Sequence, residues 1–162
     1  MNIRLINNND YANVADMIAR SVSDSPFSKF YPQCSIDYIK ESLNAEGVEK
    51  RASWTHFYVI EEDGKIIACG AIGPYWDSLT ESSLFSIFVD PEYQGKGYGR
   101  KIIEVLEQDE FFKRANRIEI PASMSAIPFY RKFGYEHKNG EIVYSEEHIC
   151  MEKFNKNYEL SD

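Results

Sequence analysis

The pattern of apolar positions is clearest at residues 84–107, where a strand, a turn and a helix follow one another. Residues 84–89 are nearly all apolar, which is typical of a strand buried on both faces. Asp90 and Pro91 end this strand, because proline donates no backbone hydrogen bond. After a glycine-rich turn, apolar residues recur at helical spacing between charged ones: Ile102, Ile103, Val105 and Leu106.

The rest of the chain shows shorter runs with the same two periodicities. Apolar alternation and β-branched residues predict strands at residues 3–5, 54–60, 65–72, 117–120 and 148–154, and a further strand near residues 142–143. Helical spacing predicts helices at residues 14–21 and 35–45, and a further one between Ser125 and Gly134.

Turn-forming and capping residues predict where several of these elements begin and end. Asp63-Gly64 is a strong hairpin signal between two of the strands. Gly47 predicts the end of the helix at residues 35–45, and Pro121 predicts the end of the strand at residues 117–120. Ser125 is a suitable N-cap for the last helix, and Gly134 suits the C′ position after it.

The order of elements indicates the fold class. Strand 117–120 follows strand 84–89 after a helix, so we expect the two strands to pair in parallel through a right-handed crossover. With 162 residues, the chain is long enough for one domain and too short to expect two. We predict a single domain over residues 1–162 of mixed α/β (α+β) class, with one central twisted mixed sheet flanked by about four helices.

Charge and hydropathy argue against two classes of partner. A formal net charge of −8 argues against sequence-independent nucleic-acid binding, which depends on Lys and Arg neutralising phosphates. An acidic chain is compatible with a cationic amine substrate. No apolar run is long enough to span a membrane, and residues 1–5 lack the features of a signal peptide. We therefore expect a soluble, cytoplasmic protein with neither a membrane nor a nucleic-acid partner.

The cysteines and histidines are too scattered for a disulfide framework or a metal site. Three cysteines are odd in number and widely spaced, and we expect them to be reduced and packed: Cys34, Cys69 and Cys150. The three histidines do not cluster either, so no metal is expected: His56, His137 and His148.

The glycine turn at residues 94–100 is the first candidate binding site. Glycines let a backbone approach a ligand closely, and the first amides of the following helix lack partners and carry the positive end of its dipole. Such a turn can bind a diphosphate, or it can simply be a turn that needs flexible residues. It is not a nucleotide-triphosphatase loop, since no Gly-Lys pair is followed by Ser or Thr. It departs from the dinucleotide-binding fingerprint, which has glycine where this chain has Arg100. Glu119, however, lies near the position where that fingerprint places its ribose-binding acid, so a nicotinamide-dependent oxidoreductase stays among the hypotheses.

Two motifs at these positions resemble those of the GNAT superfamily of acetyl-coenzyme A dependent N-acetyltransferases. Gln94, Gly97 and Gly99 match the hallmark of Gln or Arg, two residues, Gly, one residue, and Gly or Ala. Residues 125–135 look like the helix of this family that carries a conserved tyrosine, here Tyr130. The resemblance implies the GNAT-like acyl-CoA N-acyltransferase fold.

The resemblance also implies a cofactor and the residues that hold it. Backbone amides of the glycine turn would bind the diphosphate of acetyl-CoA, and main-chain groups of the preceding strand would pair with its pantetheine arm. The implied cofactor-binding residues are Ile87, Phe88, Val89, Gln94, Gly95, Lys96, Gly97, Tyr98, Gly99 and Arg100.

By the same resemblance, Tyr130 would give a proton or a hydrogen bond to the departing sulfur. Helical spacing alone is equally consistent with a core tyrosine on an apolar face. The family position for a carboxylate base is Ser83 here, which cannot act as one. Glu81, two residues earlier on the same strand face, is a candidate base or a solvated turn residue. Glu119 is a second carboxylate candidate.

The resemblance implies an N-acetyltransferase acting by direct attack of a primary amine, with a small-molecule or peptide amine as the unidentified acceptor and a homodimer as a possible assembly. The alternative is a non-catalytic acyl-CoA-binding sensor or interaction module. Two aromatic groups could line an acceptor pocket or could serve packing. These are Phe27, Phe30 and Tyr31 in the breaker-rich segment 23–32, and Tyr75 and Trp76 before the central strand.

Overall fold

In the computed structural model, residues 1–24, 27–145 and 148–155 are described. Within them the chain forms one eight-stranded sheet with helices against both faces. The strands are β1 Asn2–Leu5, β2 His56–Glu62, β3 Lys65–Pro74, β4 Glu81–Val89, β5 Arg117–Ala122, β6 Glu136–His137, β7 Tyr144–Ser145 and β8 His148–Phe154. The α-helices are α1 Tyr11–Ser23, α2 Phe27–Phe30, α3 Gln33–Ser42, α4 Ala45–Ala52, α5 Tyr98–Gln108, α6 Glu110–Lys113 and α7 Ile127–Arg131.

The sheet is mixed, as the order of elements predicted. Its strands lie in the order β1-β2-β3-β4-β5-β8-β6, with β7 paired to β8. β4 and β5 pair in parallel, and the other strand pairs are antiparallel. In the described part of the chain, four α-helices reach eight residues or more, namely α1, α3, α4 and α5. The predicted fold class is therefore confirmed.

Two hydrophobic cores fill the two faces of the sheet. One is built with Ile102, Ile103 and Leu106 of α5, and the other with buried side chains of α1, α3 and α4. β3 lies between them and contributes to both. At Gly70 of β3, an added Cβ would lie 2.5 Å from Ile102 Cγ2, so α5 packs directly on the strand backbone. This contact brings the start of α5 close to β4.

A bulge and a divergence of strands open the sheet at its centre. Opposite Gly70 the register of β3 and β4 shifts, so that both Ser86 and Ile87 face one residue. Ser86 has a φ of +53°, so β4 bends here and its regular hydrogen-bond pairing with β3 is interrupted. β4 and β5 pair only as far as Ser83 and Glu119, although both strands continue. The separated strand ends leave a cleft between them.

Most predicted strand boundaries agree with the structure to within a few residues, including the hairpin at Asp63-Gly64, where φ is +50° and +79°. Gly134 takes the left-handed φ of +91° expected after a helix. The strand expected near residues 142–143 is present slightly later in the chain, as β7 at Tyr144–Ser145, antiparallel to β8. The Val143 carbonyl also accepts a hydrogen bond from the Cys150 amide at 2.9 Å. The prediction of one domain over residues 1–162 includes residues 25–26, 146–147 and 156–162, which lie outside the described residues.

Two predicted helix boundaries are wrong. Gly47 does not end a helix but lies inside α4, whose N-cap Asn44 accepts a hydrogen bond from the Gly47 amide at 2.9 Å. Glycine is needed there because an added Cβ would lie 1.9 Å from the Ser42 carbonyl oxygen. Ser125 is not an N-cap, since it lies inside a 3₁₀ turn and α7 begins after Ala126.

Two further expectations need correction. Pro121 does not end β5, which continues to Ala122 and stays paired with β8. Proline is tolerated because β4 has already diverged from this edge of β5. Cys34 is exposed in the first turn of α3 and not packed, whereas Cys69 and Cys150 are buried; all three are free thiols. Among the described residues, no helix is both long and apolar enough to cross a membrane.

Candidate functional site

The diverging ends of β4 and β5 form one side of a cleft of about 1520 Å³. Pockets for single small molecules usually measure about 300–1,000 Å³, so this cleft has room for a long ligand and a second molecule. Residues of β4, the glycine turn, β5, α7 and α4 line it. Of the predicted cofactor-binding residues, all but Lys96 line the cleft, as do Tyr130 and Glu119.

The glycine turn is open toward this cleft and leaves helix amides without partners. Gly95 and Gly97 have φ values of +76° and +89°, and no atom lies within 4 Å of a Cβ added to either. Gly97 is the N-cap of α5, and the first backbone hydrogen bond of the helix joins Lys101 N to Gly97 O at 3.2 Å. The amides before Lys101 are therefore available to an anion. The turn fits a diphosphate.

Side-chain contacts hold the glycine turn in place against the end of β4. Gln94 Nε2 donates to the Val89 carbonyl at 3.1 Å, which closes the loop between strand and helix. Asp90 accepts hydrogen bonds from the Glu92 amide at 3.0 Å and from Arg20 Nη2 at 2.7 Å. Burial alone would raise the pKa of Asp90, but these bonds outweigh it and hold the pKa below its usual value. The turn is thus anchored on both sides.

Close packing of α7 on α5 brings Tyr130 into the cleft. A Cβ added to Gly99 would lie 3.0 Å from Phe129 Cζ, so glycine allows this approach. The Tyr130 ring lies against Phe129 and Tyr135, with centroids 5.4 and 6.3 Å away. Its hydroxyl has no hydrogen-bond partner among the described residues. Burial raises the pKa of this phenol, so it stays protonated at neutral pH.

The two candidate carboxylates occupy different places. Glu81 lies at the start of β4, where Arg117 Nη1 donates to it at 2.8 Å, and it does not line the cleft. Glu119 is 8% exposed and does line the cleft. Ser83, at the family position for a base, donates its hydroxyl hydrogen to the Glu119 carbonyl oxygen at 3.1 Å. Its role in the structure is to join β4 and β5.

Arg117 organises a buried charge cluster around Glu119. Its guanidinium donates to Glu81, Glu119 and Glu152. Burial alone would lower the pKa of Arg117, but hydrogen bonds to these three carboxylates outweigh burial and raise it. The cluster fixes the side chain of Glu119 at the wall of the cleft.

Glu119 keeps one carboxylate oxygen available. Arg117 Nη2 and Lys138 Nζ both donate to its Oε1, the lysine at 2.8 Å. Oε2 has no hydrogen-bond donor among the residues described in the structure. Lys138 Nζ also lies 3.3 Å from the Tyr75 hydroxyl oxygen. Glu119 is therefore oriented through one oxygen and can accept a hydrogen bond through the other.

The aromatic segment 23–32 divides between cleft and core, and its Ser25 and Pro26 lie outside the described residues. Phe27 lines the cleft, whereas Phe30 is 50% exposed. Tyr31 is buried in the core, and its hydroxyl oxygen accepts a hydrogen bond from the Met124 amide at 3.0 Å. Of the second aromatic group, Tyr75 and Trp76 both line the cleft, and Trp76 is 86% exposed.

Sequence reasoning missed several cationic side chains that line the cleft, among them Arg51 and Lys138. Neither belongs to a motif, and each is far in sequence from the glycine turn. Only the packing of α4 and of the segment after β6 brings them there. No group of three or more His, Cys, Asp or Glu side chains that could hold a metal ion occurs in the part of the chain that is described.

A protein-family model described as "Acetyltransferase (GNAT) domain" matches residues 53–137. The chain is also similar to an uncharacterized N-acetyltransferase of Methanocaldococcus jannaschii, at 32% identity over 96 residues. That match covers 54% of this chain but only 41% of the relative. The similarity to the S-alkylcysteine N-acetyltransferase of Bacillus subtilis is 28% over 146 residues, covering 79% of this chain and 82% of the relative.

Solved structures show the same fold. The crystal structure of the PaiA N-acetyltransferase of Thermoplasma acidophilum, in complex with coenzyme A, superposes with a TM-score of 0.80. The superposition covers 95% of this chain and 98% of that one, at 16% sequence identity.

Proposed function

The chain belongs to the GNAT acetyltransferase family, and on that premise we propose that it moves an acetyl group from acetyl-CoA to a primary amine. The observation that carries the proposal is the joining, in one cleft, of open helix amides, two diverging strands and Tyr130. A diphosphate site alone would suit many ligands. The diverging strands add a channel for an extended arm, and Tyr130 adds a proton donor near its end.

The glycine turn and β4 would hold the cofactor through main-chain groups. The open amides at Gly97, Gly99 and Arg100 would bind the diphosphate, and the backbone of Ile87 and Val89 would pair with the pantetheine arm. When bound, acetyl-CoA supplies an acyl thioester that an amine can attack. Because these contacts use backbone atoms, the shape of the turn matters more for binding than the side chains that it carries.

An amine must lose its proton before or during attack, and a carboxylate in the cleft would accept it. A lysine-like amine with a pKa of about 10.4 is neutral only about once in 2,500 molecules at pH 7, which costs about 4.6 kcal/mol. We assign the base to Glu119, acting directly or through water, because it lines the cleft with Oε2 unpaired among the described residues. Glu81 is the weaker candidate, since it does not line the cleft.

Tyr130 would donate a hydrogen bond to the departing sulfur. Its hydroxyl lacks a hydrogen-bond partner among the described residues, and burial keeps it protonated. A phenol holds its proton more tightly than a typical thiol, whose pKa is about 8.5. Tyr130 therefore stabilises the developing thiolate without being ionised itself.

We predict that Tyr130→Phe lowers turnover by about tenfold or more while leaving the affinity for coenzyme A unchanged. The phenyl ring keeps its packing against Phe129 and Tyr135, so the fold should persist. The measurement is kcat under conditions where single-turnover kinetics show chemistry to be rate-limiting. The matched control is Tyr135→Phe. The Tyr135 hydroxyl donates to Glu107 at 3.3 Å, and Tyr135 does not line the cleft. Equal turnover in wild type and Tyr130→Phe would remove Tyr130 from the mechanism.

The proposed function is tested first by thermal unfolding with acetyl-CoA and, in a parallel sample, with NAD. A ligand at about 100 times its dissociation constant adds about 2.7 kcal/mol to the free energy of unfolding, which raises the midpoint by about 5–10 °C for a chain of this size. We expect a shift with acetyl-CoA alone. A chromogenic thiol assay with a panel of amines, including S-alkylated cysteines, then tests transfer.

A pair of glycine variants separates ligand loss from backbone strain. Gly97 and Gly64 both have positive φ, with no atom within 4 Å of an added Cβ. Gly97→Val and Gly64→Val should therefore lose similar stability, but only Gly97→Val should lose the shift with acetyl-CoA. A shift without release of thiol for any amine would favour the acyl-CoA-binding sensor, and a shift with NAD alone would favour the oxidoreductase.

A further inference from the structure

Arg51 lies in the last turn of α4, with its guanidinium in the cleft. Its Cζ is 4.4 Å from the centroid of the Phe85 ring and 5.5 Å from that of Trp54. Nη1 lies 3.4 Å from Ser86 Oγ, at the bulge of β4. The side chain is therefore held at one place by two aromatic rings and a hydroxyl group.

Arg51 lacks a counter-ion among the described residues. No carboxylate of the described chain lies within 4.0 Å of it, whereas Arg4, Arg20 and Arg117 each have at least one carboxylate partner. Its hydrogen bond to Ser86 uses one of the five N–H donors of a guanidinium and is long. Burial lowers the pKa of Arg51. A half-buried cation without a carboxylate partner is costly for the fold alone, and an anionic ligand would offset that cost.

The part of β4 that Arg51 contacts indicates which anionic ligand it would bind. If the main chain of Ile87 and Val89 pairs with the pantetheine arm, the thioester lies just beyond them, near Ser86 and Phe85. Arg51 contacts both of these residues. The diphosphate site at Gly97 lies at the opposite end of this part of β4. An anion bound to Arg51 would thus lie beside the reacting carbon and not at the phosphates.

We propose that Arg51 binds the carboxylate of the acceptor, and that the acceptor is an amino acid bearing its amine next to that carboxylate. The inference rests on the proposed acetyl transfer and names its substrate class. In an α-amino acid the carboxylate and the amine are attached to the same carbon atom, so a carboxylate held by Arg51 places the amine at the thioester. A polyamine acceptor would instead bring a second cation toward Arg51.

The test compares acids with their amides in wild type, Arg51→Met and Arg51→Lys. The probes are S-methyl-L-cysteine, L-methionine and L-phenylalanine, each with its carboxamide, and spermidine. Wild type should prefer at least one acid over its amide by about 10- to 100-fold in kcat/KM, because a bidentate guanidinium–carboxylate pair is a strong, charge-assisted bond. Arg51→Met should bring this ratio close to one. Arg51→Lys should retain part of it, because an ammonium keeps the charge without the planar fork.

Binding measurements keep the test independent of turnover. Calorimetric titration of the coenzyme A complex with N-acetyl-L-methionine and its amide should show the same preference for the carboxylate, and the same loss in Arg51→Met. Equal use of acids and amides by wild type, preferential use of spermidine, or a preference that survives in Arg51→Met would overturn the proposal. Loss of coenzyme A affinity in Arg51→Met that matches the loss of activity would also overturn it. Failure of acetyl transfer itself would appear separately, as the absence of a thermal shift with acetyl-CoA or as a shift without thiol release for any amine.

Discussion

Replacing Glu119 with Gln is expected to lower kcat/KM for the amine by about 100-fold or more, the range in which general bases act. Gln keeps the size of the side chain and its acceptor oxygen for Arg117 and Lys138, but it cannot take up a proton. The loss should be largest at neutral pH and should shrink as pH rises, because more of the amine is then already neutral. The measurement is kcat/KM against pH for both proteins.

Glu81→Gln is the matched control for this prediction. It removes a carboxylate from the same arginine, at 2.8 Å from Arg117 Nη1, but outside the cleft. We expect a change in kcat/KM of less than about fivefold, since a partly exposed ion pair contributes about 1 kcal/mol or less. A larger loss in Glu81→Gln than in Glu119→Gln would transfer the role of base to Glu81. Equal and small losses in both would indicate a mechanism that relies on water and backbone carbonyls.

Arg117→Met is expected to lower the free energy of unfolding by about 3–5 kcal/mol, because removing one member of a buried ion cluster leaves the other charges without compensation. Arg117 is 9% exposed, and its removal would leave Glu81, Glu119 and Glu152 close together without the cation that they share. The measurement is urea unfolding at pH 7. The control is Arg131→Met. The Arg131 guanidinium is half exposed and lies 3.6 Å from Glu136, so this substitution should lower the free energy of unfolding by about 1 kcal/mol or less.

The pH dependence of this loss has a definite sign. Burial alone would raise the pKa of Glu152, but the Asn139 amide and Arg117 outweigh it and hold the pKa below its usual value. A carboxylate with a lowered folded pKa stabilises the protein above its unfolded pKa, and that contribution disappears as pH falls through the folded value. The difference between wild type and Arg117→Met should therefore be full at pH 7 and shrink below about pH 4. A difference that grows on acidification would contradict this account of the cluster.

The local parts of the site could be predicted from sequence because local chemistry determines them. Gly95 and Gly97 need positive φ, and an α-helix beginning after them must leave its first amides unpaired. Tyr130 follows from a motif within one short helix. The prediction for Gly47 was wrong because the sequence does not show why a glycine is needed. A glycine required by the nearby Ser42 carbonyl looks in sequence like a glycine that ends a helix.

By itself the sequence determined most of the strands, the helices α1, α3 and α5, the glycine turn and the family, because each depends mainly on neighbours within one element or one turn. The order of these elements indicated the mixed sheet, but α4, which carries Arg51, was not predicted. Only the tertiary structure decided which carboxylate lines the cleft and that Arg51 faces the bulge at Ser86. Glu119 and Glu81 both accept hydrogen bonds from Arg117, but Glu119 lies where β4 and β5 diverge, whereas Glu81 lies at the paired start of β4. Arg51 and Ser86 are 35 residues apart and belong to different elements. Such contacts depend on how elements pack across the sheet, and no periodicity within one element records that packing.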